Sequence, residues 1–130
     1  MQKLPSVVGL KVCQQAIVQE ETRNVTLVNC FRDLSFRSFP AASRSFVACA
    51  VLTDGKGDGY LFLAISELDD LHDIWNESWE ISMTDELKEL WYVLPVSGCV
   101  FPRPGRFQVS LSIDGEWLAQ TVVRVRQKGE

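Results

Sequence analysis

The chain's single histidine, His72, stands in Leu68-Asp69-Asp70-Leu71-His72-Asp73-Ile74-Trp75, where an imidazole among carboxylates is a candidate general base or metal ligand. The carboxylates could orient the ring or supply oxygens to a cation. A charged, solvated loop is written with the same letters. A hydrolytic triad would have to use His72, and no Gly-x-Ser-x-Gly or comparable nucleophile context accompanies it. The other acidic constellation is Asp54-Gly55-Lys56-Gly57-Asp58-Gly59, which resembles a calcium loop at its first, fifth and sixth positions. Lys56 at the third position and Ile65 at the twelfth remove two of the ligands such a loop needs, so a glycine-rich turn is the simpler reading. Those glycines lie in a turn between strand-like runs and not before a helix, which argues against a phosphate cradle.

Cys13, Cys30, Cys49 and Cys99 contain no Cys-x-x-Cys pair. Three of them sit among strand-like apolar neighbours, and buried free thiols in a reducing compartment account for them most simply. A zinc site would need ligands from four distant strands without a local spacing signature. An immunoglobulin-type disulfide between Cys30 and Cys99 would want a tryptophan on the following strand, and residues 31–51 hold none.

Charge is unevenly spread. Nine acids between Glu67 and Leu90 face Lys88 alone, so that segment carries −8 within a chain of net charge −4. The positive side includes Arg103, Arg106, Arg124, Arg126 and Lys128. Such a dipolar chain has either two solvated faces or a surface that meets an oppositely charged partner or a second copy. The acidic excess disfavours nucleic acid. No apolar run is long enough to span a membrane or to serve as a signal peptide, which leads to the expectation of a cytoplasmic protein. Trp75 lies beside the acidic loop, and a partly exposed tryptophan among acids is a plausible contact hot spot.

Strands must position these residues. From Phe107 the apolar residues fall on odd numbers, Phe107, Val109, Leu111 and Ile113, and the return keeps Ala119, Val123 and Val125 odd. A two-residue loop would put those rows on opposite faces, so the pattern predicts a three-residue connection, Ile113-Asp114-Gly115, with Gly115 left-handed. Trp117 falls on the buried parity but beside the turn. Residues 7–18 and 25–31 form an opening hairpin, with a break of phase near Gln14-Gln15 that suggests a bulge or a change of face. Residues 44–53 read as a central strand that pairs with Tyr60–Ile65 as a second hairpin, and residues 66–76 read as a connection. Trp79, Ile81 and Met83 mark a further strand. A short helical turn from Asp85 to about Glu89 then leads into a strand ending near Leu94, before Pro95.

Seven or eight short strands with turn-rich loops and no covering helix predict a single all-β domain over residues 1–130. The most economical architecture is an antiparallel two-layer β-sandwich, with immunoglobulin-like Greek-key wiring favoured. The opening hairpin, the Ser38-Phe39-Pro40 loop and the ending Phe101-Pro102-x-Pro104-Gly105-x-Phe107, Asp114-Gly115-Glu116, Val123-Arg124-Val125 resemble a family of short bacterial proteins of unknown function. The resemblance implies a β-sandwich in the bacterial cytosol and carries over no catalytic residues.

A complete fold signal without a catalytic constellation points to a non-catalytic protein-interaction module, in a larger assembly or self-associating, with no cofactor. Its contact residues would be Glu67, Asp69, Asp70, His72, Asp73 and Trp75. The alternative is a small-ligand or divalent-cation-binding sandwich that draws on Asp54 and Asp58 beside Asp69, Asp70, His72 and Asp73.

Overall fold

The computed structural model describes residues 1–70 and 72–129. Eleven strands make it up: β1 (Ser6–Val18), β2 (Val25–Cys30), β3 (Asp33–Phe36), β4 (Ala41–Ala42), β5 (Phe46–Thr53), β6 (Gly57–Glu67), β7 (Asp73–Met83), β8 (Leu90–Val96), β9 (Val100–Phe101), β10 (Gly105–Ile113) and β11 (Glu116–Gln127). One sheet runs β2-β1-β5-β8 and the other β3-β11-β10-β6-β7, with β4 and β9 as a small ribbon. The fold is an all-β sandwich. These strand orders do not by themselves establish the immunoglobulin-like wiring. One pair departs from the antiparallel expectation, because β3 joins β11 in parallel.

The core lies where alternate residues of the two sheets meet. Leu10 and Val12 of β1, Ala48, Ala50 and Leu52 of β5, and Leu94 and Val96 of β8 face Leu61, Leu63 and Ile65 of β6 and the odd residues of β10. Phe101 closes one end against Phe107, with ring centroids 5.0 Å apart and nearly perpendicular planes.

The last hairpin keeps the expected parity by a different device. Its loop is the two-residue Asp114-Gly115, both with positive φ (49° and 84°), which is the turn whose twist suits a hairpin. Ile113 therefore pairs with Glu116, and Ser112 with Trp117. A bulge at Leu118 then restores odd-to-odd pairing, from Leu111 with Ala119 to Phe107 with Val123. Trp117 precedes the bulge, so it sits on the outer face and is 56% exposed.

Four other expectations are corrected. β5 and β6 do not form a hairpin; they belong to different sheets, and Asp54–Lys56 arches between them. Gly55 makes that arch possible, since a Cβ there would lie 2.7 Å from Met83 Sδ and 2.8 Å from Pro5 Cβ. β6 pairs with β10 on one side and forms its hairpin with β7 on the other, so Ser66, Glu67 and residues 73–76 of the stretch read as a connection are strand. No helical turn follows β7; Lys88 N–H donates to the Asp85 carbonyl (3.2 Å) and Leu87 N–H to Asp85 Oδ1 (3.0 Å), a β-turn with an Asx contact. Pro95 does not end β8 but lies within it, exposed, as an edge strand allows.

The opening hairpin bends. β1 pairs with β5 only as far as Cys13, and a straight continuation to Val18 would carry the chain about 16 Å beyond the sheet. Instead Val18, Arg23 and Val25 line one cavity of about 480 Å³ with Leu90, Trp91 and Val93 of β8. The distal arm thus folds back over the outer face of its own sheet, which accounts for the burial of Cys13, Cys49 and Val51 outside the central core. The turn in direction falls where β1 loses β5 and where Asn29 takes a positive φ of 53°, beside the break of phase at Gln14-Gln15.

Candidate interaction site

The acidic loop is short, and its own backbone ties it down. Glu67 N–H donates to the His72 carbonyl (3.1 Å), Leu68 N–H to the Arg106 carbonyl (3.0 Å), and His72 N–H to Asp70 Oδ1 (2.9 Å). Asp73 opens β7; it accepts from Ser66 Oγ at 2.6 Å and from Asn76 Nδ2 at 3.4 Å. Glu67, His72, Asp73, Ile74, Pro102 and Arg103 line a shallow groove of about 430 Å³.

Part of the acidic charge is answered within the chain. Arg103 pairs with Glu67, whose side chain is only 13% exposed, and Arg106 approaches Asp69 at 3.9 Å with both groups in water. The first pair fixes the base of the loop, and the second, solvent-screened, contributes little. Trp75 is not a free platform: it is half-buried against the core and donates through Nε1 to the Ser97 carbonyl at 2.8 Å, bracing β7 against the loop after β8. His72 is exposed, as are Asp69, Asp70 and Asp73. The structure therefore brings Glu67, Asp69, Asp70, His72 and Asp73 together at one end of the β6–β7 hairpin and turns Trp75 inward.

Asp54 and Asp58 do not join them. Asp54 takes Lys3 Nζ at 2.7 Å, a bond that leads the contacts raising the Lys3 pKa, and Asp58 accepts from Ser82 Oγ at 2.7 Å. Among the described residues no three His, Cys, Asp or Glu side chains are arranged to hold a metal ion. The four cysteines are all free. Cys99 is in the core, while Cys13, Cys30 and Cys49 lie in the first sheet away from it.

The edge itself was not visible in the sequence. β7 runs eleven residues and, among the described residues, pairs as a strand with β6 alone, leaving its other side as the rim of the five-stranded sheet. Asp73, Glu77 and Glu80 are exposed along it, and no cation pairs with any of them among the described residues. Chemically this is an open backbone ladder with fixed negative charge, able to accept a further strand or a basic side chain. Among the described residues no helix is long and apolar enough to cross a membrane.

Fold and surface together define a β-sandwich with an acidic open edge. The chain belongs to a family of unknown function, DUF6941, whose pattern it matches over residues 10–126. No curated protein matches the chain.

Proposed function

We propose that this is a non-catalytic protein-interaction module of the bacterial cytosol that receives a basic, extended segment of a partner along β7 and its preceding loop. The observation that carries the reading is the eleven-residue edge strand with Asp73, Glu77 and Glu80 exposed and without cationic partners among the described residues. Backbone pairing would supply affinity, and the carboxylates would steer a cationic partner and set register. The same charges disfavour a second copy at this edge, since two acidic rims would repel. The partner is therefore a different chain, not another molecule of this one.

The test is binding of a lysine-rich, strand-forming peptide, measured by fluorescence anisotropy. Binding that weakens with salt and is lost in Glu77→Lys/Glu80→Lys, while thermal stability is kept, supports the reading. Equal binding by wild type and the charge-reversed variant would refute it.

A further inference from the structure

Cys13 on β1 and Cys30 on β2 face one another across the ladder. Beside them the Phe31 N–H donates to the Val12 carbonyl at 3.1 Å. In an antiparallel ladder the position next to such a bond is a non-hydrogen-bonded pair, in which opposed α-carbons stand about 4.5 Å apart and the side chains share a face. That spacing falls within the roughly 4.4–6.8 Å that a disulfide bridges. Cys13 is fully buried and Cys30 is exposed, so solvent reaches one sulfur and the other waits behind it. Cys49 sits opposite Lys11 instead, and Cys99 is enclosed in the core. Burial, and then the neighbouring Cys30, push the Cys13 thiol up.

We propose that Cys13 and Cys30 are a reversible redox pair that a low-molecular-weight disulfide converts to a cross-strand link. Cys30 loses its proton to solvent, and its thiolate attacks one sulfur of the reagent. A mixed disulfide forms, and one reagent thiolate leaves and takes up a proton. Cys13 then loses its proton and attacks Cys30 Sγ, which forms the Cys13–Cys30 bond and expels the second reagent thiol. Two protein thiols give up two electrons and two protons, and the reagent disulfide becomes two thiols. Holding Cys13 protonated slows the second step relative to attack by an ordinary thiol. The link closes at the root of the bent arm and, with one sulfur exposed, reopens in excess dithiol.

The experiment treats the reduced full chain with oxidised glutathione, quenches with acid, and reads intact mass and peptide linkage. The expected product is a monomer lacking two hydrogens, with the Cys13 and Cys30 peptides joined, reversed by dithiothreitol. Cys30→Ser should form no internal link, and Cys13→Ser should stop at a glutathione adduct on Cys30. A wild-type protein that accumulates only that adduct, that dimerises through Cys30, or that links Cys13 to Cys49 overturns the proposal. The wild-type map decides the matter without the variants, so a misfolded Cys13→Ser does not blur it.

Discussion

Asp114 joins three parts of the chain with one side chain. Its backbone takes a positive φ in the final turn, Oδ1 accepts the Tyr60 N–H at 2.9 Å, and Oδ2 meets the N-terminal amine of Met1 at 3.2 Å. The Tyr60 N–H, followed by the terminal amine, lowers the Asp114 pKa. A carboxylate with a depressed folded-state pKa stabilises above its unfolded value and loses that contribution as pH falls through the folded one. Asp114→Ala should therefore lower the thermal midpoint near neutral pH, and the difference from wild type should shrink in acid. Asp114→Asn should lose less, since asparagine tolerates the left-handed turn and still accepts from Tyr60. The thiols have the opposite sign. Burial pushes Cys49 and Cys99 up to about 11, so the folded chain keeps protons that the unfolded chain releases. Stability should fall as pH rises from about 9 to about 11, which denaturant titrations at stepped pH would record. Alkylation of the native protein at neutral pH should mark Cys30 alone, the others reacting only after unfolding.

At the scale of elements, the alternation of Phe107, Val109, Leu111 and Ile113 was legible because one face of β10 is buried and a period-2 pattern survives any arrangement of neighbours. Parity also required an extra residue in the hairpin. It could not say whether that residue sits in the loop or in the strand, since a three-residue loop and a bulge at Leu118 satisfy the same count. The pairing of β5 was misread for a related reason: an apolar run and a glycine-rich turn describe a hairpin and an inter-sheet arch equally well. What separates them is long-range, namely β1 and β8 flanking β5 on both sides. Gly115 offers a clean measure of the turn. Nothing lies within 4 Å of a Cβ placed there, so Gly115→Ala should cost only the left-handed backbone, about 1–2 kcal/mol in urea titration. Leu111→Ala, fully enclosed in the core, should cost more, about 2–5 kcal/mol.

Taken as a whole molecule, the chain satisfies part of its own charge asymmetry. The acidic loop and the arginines at the start of β10, Arg103 just before it and Arg106 within it, are distant in sequence, yet β6 pairs with β10 in a register that sets Glu67 opposite Phe107 and brings both arginines alongside. Counting letters located the acidic segment correctly but could not show which carboxylates would find arginines. Of the carboxylates without a cationic partner among the described residues, Asp73, Glu77 and Glu80 follow β7 along the open rim, and only the strand order reveals that β7 is a rim. Trp75 looked like a contact residue for its composition alone; its hydrogen bond to Ser97 makes it a brace. The measurement that bears most directly on this account is an amide chemical-shift titration of the labelled protein with an alternating lysine–valine peptide. Changes concentrated on Asp73–Met83 and the preceding loop, fading as salt is raised, are the predicted result. Changes centred on β3 or beneath the bent arm, or none at millimolar peptide, would contradict it.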